Sequence, residues 1–323
     1  MIRAGIIGGA GYTAGELIRL LVNHPQVELT FIHSTSHAGE PVASVHEGLL
    51  GDTEALFSDT FDLASVDVLF LCQGHGKSHA FWQENERPAG LKVIDLAQDY
   101  RDESEGYVYG LPEWQREKIC GAQLIANPGC FATAIQLALL PLAHARCIQK
   151  EVCVTAITGS TGAGVKPSAT THFSWRTDNI SVYKAFEHQH LIEIRRDLAL
   201  LQGTTADYLP SIHFIPMRGD FARGILAAVH TDCDLTQDEA TALYKTYYAD
   251  AAFTFVSDVP VDLKQVTNTN KALVHVEKHG DKLLIVSAID NLLKGASGQA
   301  VQNMNLLFGL DEHTGLRLKG NAF

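Results

Sequence analysis

Residues 2–33 of the chain read IRAGIIGGAGYTAGELIRLLVNHPQVELTFIH, and their pattern indicates the fold class of the first part of the chain. An apolar strand at 4–7 leads into a glycine-rich turn, and an amphipathic helix over about 14–23 and a strand at 27–33 follow. Strand, helix and strand in this order predict a βαβ unit. Further segments extend it to a doubly wound parallel sheet: strand patterns at 66–72, 91–96 and 123–126 and a helix at about 77–86.

The pattern changes after residue 130. A helix over about 131–140 is followed by long strands with helices between them. The strand patterns lie at 152–157, 212–215, 225–230, 272–277 and 282–289, and the helices at 189–201, 237–248 and 296–307. The turn HGD between the last two strands is a hairpin signal. The fold class we predict is therefore α/β, with a Rossmann-type parallel sheet domain followed by an α+β domain.

Composition limits the classes of function. The 323 residues suffice for two domains, and a formal charge of -12 disfavours nucleic acid as a partner. The longest apolar stretch, 131–148, is interrupted by polar residues and a proline, so we expect no membrane association. Six cysteines without CxxC pairs are typical of reduced thiols in a cytosol. We therefore expect a soluble cytoplasmic protein.

The first turn carries a glycine pattern typical of phosphate binding. Gly8, Gly11 and Gly15 give G-x-x-G-x-x-x-G between the first strand and the first helix. Glycines let the backbone approach a pyrophosphate, whose charge the helix N-terminus stabilises. In a βαβ unit of this size the pattern predicts a dinucleotide site, and a purely structural turn is the alternative.

The end of the second strand bears on which dinucleotide binds. NAD enzymes usually place an acid there to hold the ribose 2′-hydroxyl. This chain has His33, Ser34, Thr35 and Ser36 instead, and Glu28 lies at the other end of the strand. Because hydroxyl and imidazole groups can bind a 2′-phosphate without repelling it, we expect NADP(H), held in part by the three hydroxyls. The alternative is a polar loop with capping serines.

One cysteine stands where a strand ends and a helix begins. Cys130 closes the sequence NPGC at 127–130. The unpaired N–H groups of a helix start lower the pKa of a thiol and favour the thiolate. Cys130 is therefore the candidate nucleophile, whereas the other five cysteines are typical of small buried hydrophobic residues.

A second candidate group opens a helix in the later domain. His190 and Glu193 are spaced to share one helix face, and His188 lies in the preceding loop. Imidazole and carboxylate groups can ligate zinc, but no convincing fourth ligand is present, so we expect no metal. A histidine acting as general acid and base for Cys130 is the better use. Surface histidines at a helix start are the alternative.

Several motifs together carry a family resemblance. They are GGAGYTAGEL at 8–17, NPGC at 127–130, GSTGAG at 159–164, HQH with Glu193, and NLLKGASGQAVQNMN at 291–305. In this order they resemble N-acetyl-gamma-glutamyl-phosphate reductases, relatives of aspartate-semialdehyde dehydrogenase. The resemblance extends from residue 2 to about residue 309.

The resemblance implies an activity and an assembly. The activity is the NADPH-dependent reduction of an acyl phosphate to an aldehyde with release of phosphate, a step of arginine biosynthesis. The assembly is a cytoplasmic homo-oligomer, a homodimer or homotetramer. An NADP-binding domain would comprise 1–129 and 292–323, and a catalytic and dimerisation domain 130–291.

The resemblance also assigns roles to residues. Cys130 matches the nucleophile and His190 the acid and base, while His188 and Glu193 match positions near the substrate. The motifs add four cofactor-binding positions, which are Tyr12, Thr13, Gly162 and Asn291.

Some questions stay open at the level of sequence. Arg101, Lys166 and Arg223 are candidates for binding phosphate or carboxylate, because a doubly anionic substrate needs local cations. Each could instead form a surface ion pair. The acyl group is not fixed, since an N-succinyl substrate would need only a reshaped pocket. The rival functions are an aspartate-semialdehyde dehydrogenase and an NADP-sensing protein without catalysis.

Overall fold

The computed structural model describes residues 1–320, whose contacts divide into two compact units. The first comprises Met1–Pro128 and Ala296–Arg317, and the second Gly129–Gly295 with the residues from Leu318. The last three residues of the predicted segment 292–323 lie outside the described residues.

Strands and helices occur in both units. The strands are β1 Ile2–Ile7, β2 Val27–His33, β3 Val68–Leu71, β4 Lys92–Asp95, β5 Val108–Tyr109, β6 Leu124–Ala126, β7 Val152–Thr158, β8 Ser181–Val182, β9 Ile212–Arg218, β10 Ile225–Asp232, β11 Thr254–Ser257, β12 Ala272–His279 and β13 Lys282–Ile289. The helices are α1 Tyr12–Leu21, α2 Val42–Val45, α3 Ser78–Glu84, α4 Pro112–Cys120, α5 Cys130–His144, α6 Phe173–Arg176, α7 His190–Gln202, α8 Gln237–Tyr247 and α9 Gly298–Leu307. Short 3-10 turns lie at Glu47–Leu49, Leu63–Ser65, Ser104–Gly106, Ser160–Ala163 and Leu263–Gln265, and a π-helical turn at Leu293–Ser297.

The first unit is built on a parallel sheet, which confirms the predicted doubly wound fold. Its six strands follow the order β2-β1-β3-β4-β6-β5, and every neighbouring pair is parallel. All four residues of β3 are buried, as expected of a strand covered on both faces. The sheet order reverses beside β1, so the glycine turn that follows β1 lies at the switch point where such sheets bind ligands.

The second unit has a mixed sheet, as the strand patterns predicted. Its seven strands follow the order β11-β12-β13-β10-β7-β9-β8. Buried and less buried residues alternate along β7, β9 and β10, so one face of the sheet packs in the core. The helices α5, α7 and α8 contact this sheet. The HGD turn joins β12 to β13 as expected, with Gly280 at φ 58.

Helix α5 runs further than predicted because it continues through a proline. Pro141 has no N–H to donate to the carbonyl of Leu137, four residues back. The hydroxyl of Tyr248 donates to that carbonyl at 2.5 Å, and the hydroxyl of Tyr244 donates to Ala138 at 2.5 Å. These tyrosines, on α8 and just after it, satisfy carbonyls of a buried helix.

No helix among residues 1–320 has the length and apolarity needed to cross a membrane.

The sequence patterns missed the shortest elements. Strands β5 and β8 have two residues each, too few for any periodicity. Helix α4 is mostly polar and bends at Gln115, so it shows only a weak helical pattern. Strand β11 lies at the end of its sheet and pairs with β12 alone.

Candidate active site

Cys130 is the first residue of α5, and no side chain caps this helix start. The preceding residue, Gly129, donates its backbone N–H to Oε2 of Glu193 at 3.2 Å. The first N–H groups of a helix have no partners within the helix, so they leave positive potential around the thiol. The site that the NPGC pattern predicted is therefore a helix start with a cysteine at its first position.

Two glycines make room for the groups that pack around Cys130. A Cβ on Gly129 would overlap the ring of His190, with its Cε1 only 2.6 Å away. A Cβ on Gly295 would lie 2.8 Å from the Cβ of Cys130. The absence of side chains at both positions lets the imidazole and the π-helical turn approach the thiol-bearing backbone directly. Sequence analysis included both glycines in motifs but gave neither a packing role.

The two histidines are buried and pack edge to face. His188 is 5% exposed and His190 is 6% exposed, and their ring centroids lie 4.6 Å apart. His188 also contacts the rings of Phe131 and Phe214, each at 5.4 Å between centroids. The alternative of surface histidines at a helix start therefore does not describe these residues.

Glu193 lies between the helix start and the histidine. Its Oε1 is 4.0 Å from Nε2 of His190, while its Oε2 accepts the hydrogen bond from Gly129. One carboxylate thus holds the backbone just before the thiol and faces the imidazole beside it. The spacing of His190 and Glu193 at i and i+3 puts them on one face of α7, as the sequence predicted.

The surroundings of His188 set its charge. Burial and, to a lesser extent, the positive charges of Lys184 and Arg218 together lower its pKa to about 4. Tyr183, 5.9 Å from His188 between ring centroids, has its pKa raised to about 12 by burial and by the charge of Cys130. His188 is therefore neutral near pH 7 and can donate one hydrogen bond without carrying charge.

Among the described residues, no group of three or more histidine, cysteine and acidic side chains is arranged to hold a metal ion.

The three predicted substrate cations lie in different settings. Arg101, in the first unit, donates from Nε to the carbonyl of Asn127 at 2.9 Å and from Nη2 to that of Leu96 at 3.3 Å. Arg223 donates to both carboxylate oxygens of Asp290, at 3.0 and 3.1 Å. The protein itself thus engages both guanidinium groups. Lys166 is exposed in the segment after β7.

Sequence analysis missed Tyr183 and Arg218, two residues beside the histidines. Arg218 ends β9, and its guanidinium carbon lies 4.6 Å from the ring centroid of Tyr183. Neither residue belongs to a motif, and an arginine at a strand end is common on protein surfaces. Only the pairing of β8 with β9 brings the two side chains to the histidines.

The glycine turn of the first unit is shaped by three different requirements. Gly8 has φ 86, and a Cβ there would lie 2.8 Å from the backbone of Cys72. A Cβ on Gly15 would lie 2.5 Å from the ring of His46, whose Nε2 donates to the carbonyl of Gly9 at 2.7 Å. Gly11, which caps α1, has no atom within 4 Å of its Cβ position. This glycine therefore leaves open space at the helix start.

The start of α1 suits a bound anion. No side chain caps it, and its first turn contains no acid. Tyr12 is 43% exposed, and the carbonyl of Thr13 accepts a hydrogen bond from Ser297 at 2.7 Å. The exposed N–H groups and the open space at Gly11 fit the pyrophosphate of a dinucleotide.

The three hydroxyls after β2 are not equivalent. Ser34 is only 6% exposed, with its Oγ 3.3 Å from that of Ser36, whereas Thr35 and Ser36 are exposed. The nearby acid Glu40 pairs with His37 at 3.0 Å. Thr35 and Ser36 are thus available to a 2′-phosphate, and Ser34 supports the turn from inside.

The remaining predicted cofactor residues belong to the second unit. Asn291 is buried and donates to Oγ1 of Thr161 at 3.0 Å, and it accepts from the backbone N–H of Gly224 at 2.7 Å. Gly162 is exposed in the same turn. Asn291 therefore fixes the turn that carries Gly162.

Comparison with protein families identifies both halves of the chain. Residues 3–122 match the model described as semialdehyde dehydrogenase, NAD binding domain, and residues 130–291 the model described as semialdehyde dehydrogenase, dimerisation domain. A protein of Phocaeicola vulgatus is 56% identical over all of both chains, and one of Parabacteroides distasonis is 58% identical over all of both chains. Both are named N-acetyl-gamma-glutamyl-phosphate reductase.

Solved structures share the fold at low identity. Aspartate semialdehyde dehydrogenase II of Vibrio cholerae is 18% identical, with a TM-score of 0.71 over 96% of this chain and 98% of that one. The enzyme of Candida albicans, solved with NADP, is 16% identical, with a TM-score of 0.71 over 95% of this chain and 98% of that one. These structures confirm the predicted pair of domain folds.

Proposed function

The chain belongs to the N-acetyl-gamma-glutamyl-phosphate reductases of the semialdehyde dehydrogenase family, and from this premise we propose its reaction. It reduces N-acetyl-gamma-glutamyl phosphate with NADPH to N-acetyl-glutamate semialdehyde and releases phosphate, in arginine biosynthesis. The observation that carries the proposal is the helix start of α5. There Cys130 stands at the first position, with Glu193 bonded to the residue before it.

The first chemical step belongs to Cys130. Its thiolate attacks the gamma carbonyl carbon, a C–S bond forms, and the C–O bond to the phosphoryl group breaks. Phosphate leaves with the electron pair, and a thioester remains on the enzyme. The uncapped start of α5 supports this role because its N–H groups favour the thiolate over the thiol.

The dinucleotide would be held by the first unit. Gly8, Gly11 and the first turn of α1 offer backbone N–H groups to its pyrophosphate, and Thr35 and Ser36 offer hydroxyls to a 2′-phosphate. The absence of an acid at this end of β2 supports NADP(H) over NAD(H). When bound, NADPH supplies the hydride that turns the thioester into a thiohemiacetal.

His190 handles the proton. It protonates the oxygen of the thiohemiacetal and takes that proton back as the C–S bond breaks, so that Cys130 leaves as thiolate and the aldehyde is released. The close approach of its ring to Gly129 supports this assignment. His188, whose pKa is held near 4 by burial, is suited to donate a neutral hydrogen bond to the substrate instead. Glu193 positions both the helix start and the imidazole of His190.

The assembly follows from the family. The dimerisation domain over residues 130–291 supports self-association, and the substrates are small molecules. We propose a homodimer or homotetramer in the cytoplasm, acting without nucleic acid or membrane. Sedimentation equilibrium of the purified protein distinguishes the two assemblies from a monomer.

A substrate panel tests the reaction. Purified protein is assayed in reverse, with NADP⁺, phosphate and one of three aldehydes: N-acetyl-glutamate semialdehyde, N-succinyl-glutamate semialdehyde or aspartate semialdehyde. We expect the highest kcat/KM with the N-acetyl compound. A higher kcat/KM with the N-succinyl compound would instead assign N-succinyl as the acyl group of the substrate. Turnover of aspartate semialdehyde alone, or of none of the three, would overturn the proposal.

Alkylation tests the nucleophile. Cys120 is the exposed one of the six cysteines, while burial raises the pKa of Cys72 and of Cys147. If exposure alone governed reaction with iodoacetamide, Cys120 would be labelled first. We expect Cys130 to be labelled first at neutral pH, and the acyl phosphate to protect it but not Cys120.

Replacement of the two cysteines completes this test. Cys130→Ser should retain NADPH binding and lose turnover by about 10⁴-fold or more. Cys120→Ser is the matched control and should keep full activity. If Cys130→Ser still turns over and another cysteine reacts first, the thioester mechanism is wrong.

A further inference from the structure

Three cations lie near one another in the second unit, around the segment that contains Tyr183. Arg176, Lys184 and Arg218 lie on or near the pairing of β8 with β9, where Ser181 is opposite Arg218. No carboxylate within the described chain forms an ion pair with any of the three. Asp220 attracts the charge of Arg176 without forming an ion pair, so the less compensated positive charge lies on Lys184 and Arg218. In a protein of formal charge -12 such a group is unusual, and it favours a bound anion.

The protein's own structure already uses Arg176. Its Nη1 donates to the carbonyls of Arg218 at 2.6 Å and Asn179 at 3.2 Å, and its Nη2 donates to Thr170 and to Ser181. This arginine therefore fixes the end of β9 and the backbone of Arg218. Its role is to hold the strand pairing.

Lys184 is also partly engaged. Its Nζ donates to Oε1 of Gln189 at 3.2 Å, and the side chain is exposed. Its backbone has φ 46, a left-handed conformation that costs a non-glycine residue free energy. Lys184 adds positive potential at the rim of the group rather than a fixed donor.

The Nε of Arg176 and the Nε of Arg218 are both buried without a hydrogen-bond partner, but the terminal nitrogens of Arg176 are already engaged. Arg218 is the one of these two that lies over Tyr183. Its guanidinium carbon lies 4.6 Å from the ring centroid of Tyr183, and its Nε is buried without a hydrogen-bond partner. Stacking on an aromatic ring fixes the guanidinium plane and leaves the N–H groups at its edge. A buried donor without an acceptor is unfavourable, and an arriving oxyanion would satisfy it.

The stacked pair belongs to the surroundings of the reacting thiol. Tyr183 is 5.9 Å from His188, and His188 is 4.6 Å from His190, measured between ring centroids. His190 in turn packs against Gly129, the residue before Cys130. The charge of Arg218 also helps to keep the pKa of His188 low, so the two side chains are close enough to interact.

On the basis of the proposed function, we propose that Arg218 binds an oxyanion of the substrate. The substrate carries two such groups, its carboxylate and its phosphoryl group, and a planar guanidinium binds either with two parallel hydrogen bonds. Asp290 already engages Arg223, and backbone carbonyls engage Arg101. Arg218 is a residue that neither the motifs nor the family assignment named for this role.

Reverse kinetics distinguish the two sources of the oxyanion. Arg218→Gln and Arg218→Lys are assayed with NADP⁺, phosphate and N-acetyl-glutamate semialdehyde, each varied in turn. For Arg218→Gln we expect the KM of one anionic partner to rise by about 10- to 100-fold, as for loss of a charge-assisted hydrogen bond. A raised KM for the aldehyde assigns the carboxylate, and a raised KM for phosphate assigns the phosphoryl group. The KM for NADP⁺ should not change.

Two further variants make the test specific. Arg218→Lys keeps the charge but not the planar donor pair, so it should recover part of the affinity. Lys245→Gln removes an exposed cation of the same unit, paired with Asp258 at 2.6 Å, and should change no KM. The midpoint of thermal unfolding is measured for each variant, so that a folding defect is recognised.

The outcomes separate this proposal from the proposed function. If the unmodified protein turns over and Arg218→Gln leaves all three KM values unchanged, Arg218 does not bind substrate and the proposed function stands. If both Arg218 variants lose kcat equally, with every KM unchanged, the binding role is also overturned. If the unmodified protein turns over no acylated semialdehyde, both proposals fall together.

Discussion

Two helix starts in this molecule look alike in backbone and differ in what surrounds them. Helices α1 and α5 each follow a parallel strand, each has a glycine N-cap in extended conformation, and neither has a side-chain cap. Gly11 before α1 has no atom within 4 Å of its Cβ position, whereas a Cβ on Gly129 before α5 would overlap the ring of His190. The first start is open, and the second is packed.

The difference shows that the same electrostatic feature, an uncapped helix start, can serve two purposes. An uncapped helix start stabilises negative charge, whichever molecule supplies it. In the proposed function, the open space at α1 admits the charge of a ligand, the pyrophosphate. At α5 the chain itself would supply the charge, as the thiolate of Cys130, and the imidazole of His190 fills the space. Glycine is needed at both N-caps, for room in one case and for contact in the other.

After the loss of Cys130 itself, the largest expected effect comes from removing the imidazole at the packed start. His190→Asn should lower kcat by about 10²- to 10⁴-fold, the range for loss of a general acid and base, with folding intact. His188→Asn is the comparison, because His188 is neutral near pH 7 and its loss should act mainly on KM. Stopped-flow turnover measures kcat and KM for both variants, and circular dichroism checks that folding is intact. Near-normal activity of His190→Asn would move the proton transfer to His188 or water.

Adding one methyl group to each start tests the comparison directly. Gly129→Ala should displace the ring of His190 and lower kcat by about 10²-fold, the typical cost of a misplacement of about 1 Å. Gly11→Ala meets no protein atom, so it should fold normally and raise only the KM for NADPH. Steady-state kinetics on both variants suffice. If Gly11→Ala lowered kcat and left the KM for NADPH unchanged, the open start would not be a nucleotide site.

A buried acid that ties α5 to α7 gives a prediction about pH. Asp197 accepts a hydrogen bond from Gln136 of α5 at 2.7 Å and pairs with Arg196, and burial raises its pKa to about 8. Since its ordinary value is 3.8, folding takes up a proton between these pH values. The stability from this group is fully present below about pH 4 and is lost as the pH rises through about 8.

Asp197→Asn should remove this dependence. Between pH 5 and 8 the unmodified protein should lose up to about 1.4 kcal/mol of unfolding free energy per pH unit relative to the variant. Urea unfolding at each pH measures both proteins. A difference that stays constant from pH 5 to 9 would show that Asp197 is ionised throughout.

The smallest expected effect concerns the 2′-phosphate of the nucleotide. Ser36→Asp places a charge at an exposed position, whereas an acid at the buried Ser34 would chiefly destabilise the turn. We expect Ser36→Asp to raise the dissociation constant for NADPH about fivefold, the equivalent of about 1 kcal/mol of repulsion near 4 Å in water. Fluorescence titration with NADPH and NADH compares the two cofactors. Equal weakening of both, or tight binding of NADH by the unmodified protein, would contradict the preference for NADP(H).

The long elements and the candidate nucleophile Cys130 could be predicted from the sequence because their signals are local. A run of apolar residues defines β3, and the NPGC motif marks a strand-to-helix turn without knowledge of any other segment. Arg218 could not be found in this way. Its position beside the histidines depends on the pairing of β8 with β9, and β8 is too short to predict.

The same limit applies to side chains whose role depends on burial. Ser34, Thr35 and Ser36 are alike in sequence, but only the tertiary structure buries the first and exposes the other two. Arg101 and Arg223 were candidates for binding substrate, with surface ion pairs as the alternative. Arg223 pairs with Asp290, 67 residues away, and Arg101 donates to backbone carbonyls 26 and 5 residues away. An ion pair over 67 residues leaves no local pattern.

The proline inside α5 has a consequence for the order in which the chain folds. The carbonyl of Leu137 obtains its hydrogen bond from Tyr248, 111 residues later in the chain. On the ribosome, this carbonyl therefore has no tyrosine donor until the whole of α8 has been synthesised. A chain released before Tyr244 would leave the carbonyls of Leu137 and Ala138 without their tyrosine donors. The proposed nucleophile is thus made well before the two residues that complete the hydrogen bonds of its helix.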